Sequence, residues 1–412
     1  MERVVITGMG IVSPIGNDVE TFWKNLVEGR PGISDIHTFD VSNHKTKIAG
    51  LVKDFNAEEL LGRKEAKRLD RFCQFAMAAA GQAWEDAGLN NEEIDLERLG
   101  VYVGSGIGGI ETLINNVDII RKKGPSRVSP TLVPAMIANA ASAQISIKWG
   151  AMGPSLSPVS ACAIGNTAIG EAFKVIRYGE ADLMFAGGAE AAITDISLAS
   201  FSNAKALSTR NEEPDKASRP FDGNRDGFVM GEGAGVLILE SLTHAKRRNA
   251  TIYGEIIGYG SSSDAHHMVA PHPEGKGAIL AMQRALGNSE LSPEQIDVIS
   301  AHATSTELGD QLETKAIKEV FGAQAYQIPI TANKSVTGHM FGAAGGAEAI
   351  ALAKMLQEGV IPPTINQEQS DPLCDLDYVP NVARQADVSI GLSNSFGFGG
   401  HNAVIVLKKY EE

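Results

Sequence analysis

The fold turns on Ile252-Tyr-Gly-Glu-Ile-Ile-Gly-Tyr-Gly260 read against Val4-Val-Ile-Thr-Gly-Met-Gly10 at the N-terminus. Both are short apolar runs that end in Gly-x-Gly, and each reads as a strand running into a turn. The segments after them also match. Phe72, Phe75, Ala76, Ala79, Ala83 and Trp84 recur at helical spacing, Gly88 closes that helix, and Val101–Val103 reads as the next strand. In the second half a helix over Lys276–Gly287 leads into a strand at Val298–Ser300. A third echo is one of spacing. Cys162 lies nine residues before Glu171, His339 lies nine before Glu348, and both segments continue as small-residue helices. Three echoes in one order indicate a duplicated α/β unit with its seam between about 240 and 255, giving halves 1–250 and 251–412. In open α/β sheets chemistry sits beyond the carboxyl ends of the strands. Two related halves are therefore expected to face one shared pocket.

Length and composition agree. The 412 residues exceed the roughly 250–300 at which one hydrophobic core stops growing. An apolar fraction of 43% with 21% charged residues is globular, not disordered. The net charge of −14 argues against binding to a nucleic-acid backbone. Cys73, Cys162 and Cys374 are too few and too scattered for a disulfide framework, which fits a reducing compartment. No apolar run reaches the roughly 18 residues of a membrane span, and no secretory signal opens the chain. The expectation is a cytoplasmic protein with neither membrane nor nucleic-acid partners. Locally, Asn17 with Glu20 reads as a capping box for a helix ending near Gly29. Ala163–Tyr178 reads as a helix and Leu183–Ala186 as a buried strand.

Chemistry concentrates in a few places. Cys162, in Val-Ser-Ala-Cys-Ala-Ile-Gly, stands just before a helix, where free N–H groups and the dipole favour a thiolate. The competing reading is a small buried hydrophobe. That plain reading prevails for Cys73, on an apolar helix face; Cys374 lies in a turn with no partner signal. His302 ends an apolar strand, and His339 precedes a Gly/Ala-rich helix. His266, His267 and His272 have no Cys or spaced carboxylate to complete a metal set and read as loop histidines. Gly104-Ser-Gly106-Ile-Gly-Gly109 mimics a dinucleotide fingerprint, but the segment Asn115–Asp118 after it reads as helix, so a tight turn is expected instead. Ser393-Asn-Ser-Phe-Gly-Phe-Gly-Gly-His-Asn402 reads as a Gly-rich connection between two strands, able to aim N–H groups at an oxyanion.

Together, Ser160-Ala-Cys162-Ala, His302-x-Thr304-x-Thr306, Lys334-x-x-x-Gly338-His339 and Gly397-Phe398-Gly-Gly400 resemble the four signatures of the elongating beta-ketoacyl-[acyl-carrier-protein] synthases. Order and spacing match along essentially the whole chain, and Arg219–Gly235 matches as well. The loop Gly104–Gly109 is more similar to the synthase II form than to synthase I. The resemblance implies a thiolase fold: duplicated βαβαβαββ halves, a five-layer αβαβα sandwich and a homodimer. It implies that Cys162 takes an acyl chain from acyl carrier protein. It implies that His302 and His339 promote malonyl decarboxylation and stabilise the enolate, with Lys334 behind them paired to Glu348. The N–H groups of Cys162 and Phe398 would form the oxyanion hole. Thr304 and Thr306 would hold the pantetheine arm, and Phe398 and Ile107 would bound the acyl pocket. No metal or organic cofactor is implied.

Three residues depart from the family pattern: Ala303 replaces a usual Gly, Asn333 a usual Thr, and Ile164 a usual Thr after the nucleophile. None removes a reacting atom; pocket shape is what they touch. For docking an acidic carrier protein, Arg63, Lys64, Lys67, Arg68 and Arg71 offer cations against Glu65 and Asp70, extended by Lys122, Lys123, Arg127 and Lys205. The ordinary alternative is a solvated helix face. Lys64, Lys67, Arg68 and Lys205 are the docking candidates. Related enzymes fit less well. A degradative thiolase would need a second Cys in the C-terminal Gly-rich segment, an initiating synthase an Asn in place of His339, and a chain-length-factor partner no nucleophile.

Overall fold

The Gly-x-Gly runs are strand, not turn. In a computed structural model of the chain, which describes residues 1–411, β1 spans Val4–Val12 straight through Gly8 and Gly10. The remaining strands of the main sheet are β2 (Leu99–Gly104), β3 (Ser155–Leu156), β4 (Leu183–Glu190), β5 (Gly233–Ser241), β6 (Gly254–Ser263), β7 (Val298–Ser300), β8 (Ile330–Thr331), β9 (Ile390–Gly397) and β10 (His401–Lys408). Their spatial order is β3-β2-β4-β5-β1-β6-β10-β9-β7-β8. Read outward from the centre, the two sides are the same. β1 pairs antiparallel with β5, β5 antiparallel with β4, and β2 lies parallel between β4 and β3. β6, β10, β9, β7 and β8 repeat that pattern. The sides join where Val4, Val5 and Ile6 pair with Ile256, Glu255 and Gly254.

Six helices complete five layers. α1 (Arg71–Asp86) and α2 (Ala140–Trp149) cover the outer face of β1–β5. α4 (Lys276–Asn288) and α5 (Glu307–Phe321) cover that of β6–β10. α3 (Ile164–Arg177) and α6 (Ala344–Glu358) lie between the two five-stranded sides of the sheet, and α6 is buried along nearly its whole length. One apolar core surrounds the central helices and another fills each outer interface. The glycines set the spacing. A Cβ on Gly8 or Gly10 would stand 2.1 or 1.9 Å from the carbonyl oxygen of Ala83 or Ala79 in α1. On Gly258 or Gly260 it would stand 2.7 or 2.1 Å from that of Ala285 or Ala281 in α4. The repeated Gly-x-Gly is thus the mark of a helix lying directly on a strand backbone.

The third echo is out of register. The turns that open α3 and α6 are Ala161–Ala163 and Phe341–Ala343, each starting on a residue with positive φ, Ala161 at 50° and Phe341 at 47°. Gly342, not His339, therefore stands where Cys162 stands in the other half, and the shared spacing to Glu171 and Glu348 is accidental. Two local expectations also change. Asp18, not Asn17, caps the helix Val19–Val27, accepting the Thr21 N–H at 2.7 Å, while Asn17 donates to the Lys53 carbonyl. Ser393–Gly397 belongs to β9, and only Phe398–Gly400 forms the turn to β10. The expected helices and strands at 163–178, 183–186, 276–287 and 298–300 are present with small shifts at their ends.

Candidate active site

At the carboxyl ends of the strands the two halves enclose a cavity of about 440 Å3. Cys162, Ile107 and Lys205 line it from the first half; His302, His339, Thr304, Thr306 and Phe398 line it from the second. Cys162 is partly accessible through the cavity. Its turn is fixed from across the molecule, since a Cβ on Gly397 would lie 2.6 Å from the Ser160 oxygen and 3.0 Å from the Cys162 nitrogen. The backbone N–H groups of Cys162 and Phe398 act on the sulfur so as to favour its thiolate. The expected thiolate does not result in this resting pocket. Burial pushes the thiol up to about 12, and Lys334 and the two N–H groups only partly oppose it, while Glu190 adds to the rise. The helix end supplies donors for an oxyanion but does not by itself ionise a buried sulfur.

His302 and His339 stand edge to face, with ring centroids 5.5 Å apart. Their Nδ1 atoms are buried without protein partners. Burial, followed by the positive charge of Lys334, depresses both imidazoles well below their ordinary range. They are neutral near pH 7, and a neutral imidazole can still donate one N–H. Lys334 does not reach the cavity wall. It is buried behind the rings and ion-paired with Glu348 of α6. Burial raises the Glu348 carboxyl to about 7 against the pull of Lys334.

Thr304 and Thr306 share a hydroxyl contact of 3.1 Å on the loop between β7 and α5. Phe398 and Ile107 are partly exposed at 39% and 40%, as befits residues at an opening. Phe398 lies 6.3 Å from the Phe201 ring. Its turn is pinned by Asp264, whose backbone N–H donates to the Gly400 oxygen at 2.9 Å and whose carboxylate accepts from Asn402 and from the His272 N–H. The loop histidines serve backbone: His267 Nδ1 accepts from Val269 and Ala270, and His272 Nδ1 from Glu274. Gly104–Gly109 is the tight turn expected, and Ile110–Lys123 after it is helical. Lys64, Lys67 and Arg68 are exposed but lie off the cavity; only Lys205 reaches it. Arg71 leaves the basic patch, since it pairs with buried Glu232 at 2.8 Å and lies over Phe75.

Three features escaped the sequence reading. Glu313, on the buried face of α5, accepts the N–H groups of His302 and Ala303 at 2.8 and 2.7 Å and Asn394 Nδ2 at 3.0 Å. It holds the first histidine in place and fixes Ala303 at φ 30°, a left-handed setting that explains why glycine suits this position. Phe201, Phe228 and Phe341 pack with His339 as an apolar wall. Glu190 ends β4 inside the cavity lining. An acid at i, i+3, i+4 spacing with apolar neighbours, or closing a wholly apolar strand, is the signal that could have found the two carboxylates.

The sequence profile of the beta-ketoacyl synthase N-terminal domain matches residues 1–245, and that of the C-terminal domain matches residues 253–368. The chain belongs to the beta-ketoacyl synthase family. Among curated beta-ketoacyl synthases it is 51% identical over 410 residues to 3-oxoacyl-[acyl-carrier-protein] synthase 2 of Synechocystis sp., covering 100% of this chain and 99% of that protein. The protein of the same name from Coxiella burnetii is 48% identical over 407 residues, covering 99% and 98%. A beta-ketoacyl synthase from Burkholderia phymatum superposes with a TM-score of 0.93 at 36% identity, covering 100% of both chains. A ketosynthase solved with its type II polyketide acyl-carrier protein and a hexaketide gives 0.91 at 36%, again covering 100% of both.

The depressed imidazoles give a direct test. A histidine at its ordinary value near 6.5 is half protonated at about that pH. Because burial lowers both values, NMR of isotope-labelled histidine should show neither His302 nor His339 titrating between about pH 8 and about pH 6. An inflection near the ordinary value in either ring contradicts the buried neutral pair.

Proposed function

We propose that the chain is an elongating 3-oxoacyl-[acyl-carrier-protein] synthase of the synthase II form, acting in a dissociated fatty acid synthase. The observation that carries this reading is one cavity holding a sulfur from the first half and two neutral imidazoles from the second. In the first half-reaction Cys162 sulfur attacks the carbonyl of an acyl thioester. The N–H groups of Cys162 and Phe398 receive the tetrahedral oxyanion. The acyl group stays on sulfur, and the carrier leaves as its thiol. In the second, a malonyl thioester loses carbon dioxide. Its electron pair becomes an enolate whose oxygen accepts hydrogen bonds from His302 and His339. The enolate carbon attacks the acyl carbonyl, and Cys162 sulfur departs and is reprotonated. The product is a 3-oxoacyl thioester longer by two carbons. Ping-pong kinetics follow from the covalent intermediate.

Each residue has a physical task. Lys334, held by Glu348, keeps both rings from taking a second proton, which would cost them neutrality in a dry site. Thr304 and Thr306 lie where a pantetheine arm enters, and Phe398 and Ile107 bound the acyl channel. Residues 1–250 thus deliver the nucleophile and 251–412 the decarboxylation machinery. Lys64, Lys67, Arg68 and Lys205 form the carrier-docking surface. The copy-to-copy surface is the free edge of β3, next to exposed Ile147, Met152, Leu156 and Val159. Three free cysteines suit a reducing cytoplasm, and among the described residues no helix is long and apolar enough to cross a membrane.

Mass spectrometry of the trapped enzyme separates the half-reactions. Cys162→Ala should form no acyl-enzyme. His302→Ala and His339→Ala should still acylate, while condensation falls roughly 10²–10³-fold, the usual loss for one oxyanion donor. Full condensation in either histidine variant contradicts the roles of the two imidazoles. Charge reversal at Lys64 and Lys67 should raise KM for carrier-bound substrate, with the wild-type rate falling as salt rises. An unchanged KM removes that surface. Sedimentation should find a dimer for the native chain and a monomer for Ile147→Asp/Met152→Asp; a monomeric native chain refutes the copy-to-copy surface.

A further inference from the structure

Glu190 is the largest unexplained investment near the sulfur. It is fully buried at the end of β4, on the cavity wall. Its Oε1 accepts the Ser105 hydroxyl at 2.7 Å and the Ile107 N–H at 3.2 Å. Its Oε2 accepts the Gly106 N–H at 2.8 Å and the Gly342 N–H at 3.2 Å. Three of the four partners are backbone N–H groups that can only donate, and the Ser105 hydroxyl already accepts from Gly108, so the arrangement is that of a carboxylate. Burial pushes the group above the ordinary carboxylate range, and these same four donors pull it back.

The partners come from both halves. Gly106 and Ile107 form the turn after β2, and Ile107 faces the cavity opening. Gly342 sits in the turn that opens α6, the position equivalent to Cys162, and its neighbour Phe341 is part of the aromatic wall. The oxygen is seated so closely that a Cβ on either Gly106 or Gly342 would lie 2.9 Å from Oε2. Ser105 tightens the same turn by accepting the Gly108 N–H at 2.8 Å. None of the four donors to Glu190 comes from a histidine, and the arrangement meets the imidazoles only where the Phe341 ring packs on His339; Glu313 does the corresponding work for His302.

We propose that Glu190 is a positioning residue for the acyl chain: by tying the Ile107 turn to the Phe341–Gly342 turn it fixes two walls of the acyl channel and so governs which chain lengths reach Cys162. This rests on the reading of the cavity as a condensing site. Glu190 acts on acyl transfer and leaves malonyl decarboxylation to the histidines. Its charge also opposes thiolate formation at Cys162.

The test is Glu190→Gln in the full-length protein. The amide keeps the volume but replaces one double acceptor with a donor, which faces two of the four N–H or O–H groups. Acyl-enzyme formation is measured by mass spectrometry across a series of acyl-carrier proteins from short to long chains, and decarboxylation by carbon dioxide release from malonyl-carrier protein. The length profile of acylation should change, with the longest chains losing roughly 10- to 100-fold, the scale of a small misplacement in a positioned site. Decarboxylation should fall far less. Iodoacetamide should alkylate Cys162 faster at neutral pH than in the native protein, a gain that mere structural damage to the channel does not predict. An unchanged length profile, or equal losses in both half-reactions, overturns the proposal. If the variant is insoluble, Ser105→Ala removes one donor and keeps the carboxylate; it should shift the profile in the same direction by less, and an unshifted profile again overturns it. Should the native protein form no acyl-enzyme at all, the condensing-enzyme reading itself fails, which is a different result from either of these.

Discussion

The site exists because two helices cross with backbone against backbone. Where α3 meets α6, a Cβ on Gly165 would stand 2.6 Å from the Gly346 nitrogen, and one on Gly345 would stand 2.6 Å from the Asn166 nitrogen. Gly235 of β5 lies as close, its Cβ position 2.4 Å from the Ala347 nitrogen. No larger side chain fits at these points. The central layer is therefore thin, and the two sides of the sheet close on it near enough for strand ends from both halves to share one cavity. Widening the crossing by one methyl layer would separate the sulfur from the imidazoles, and productive geometry tolerates about 1 Å.

Around that crossing the protein buries an unusual amount of charge. Lys334 with Glu348, Glu190 and Glu313 all lie in the interior. An isolated buried charge is strongly unfavourable, and each of these has a different remedy. Lys334 and Glu348 neutralise one another. Glu190 is met by four donors, and Glu313 by two backbone N–H groups and an amide. The remedies also do structural work, because each carboxylate anchors a loop that carries a cavity residue. Backbone strain is also found at these places. Ala161, Ala303 and Phe341 all hold positive φ beside the cavity, at a cost of roughly 1–3 kcal/mol per residue.

Much of this could be read in advance because it depends on local pattern. The duplication showed in repeated Gly-x-Gly strands followed by helices of the same spacing, and the structure gives the repeat its cause in Ala79, Ala83, Ala281 and Ala285 lying on bare strand backbone. Cys162, His302 and His339 stood out as reactive side chains at element boundaries. The misreadings have physical causes too. A glycine pair resembles a turn when the helix that demands it lies elsewhere in the chain. Cys162 looked ionised because a helix end is visible in sequence and burial is not. Arg71 looked like surface charge because its partner Glu232 is distant along the chain. Glu190 and Glu313 were passed over since an acid in an apolar setting marks burial only, and the backbone N–H groups that make it necessary lie far away in the chain.

By itself the sequence determined which elements form, in what order they repeat, and which side chains can do chemistry, because helix and strand periodicity, glycine placement and residue type are local properties. Only the tertiary structure decided which of those side chains meet, what charge they carry there, and which carboxylates hold them. Those outcomes depend on distances and on exclusion of water between segments remote in the chain, and neither quantity exists until the two sides of the sheet have closed on their shared pair of helices.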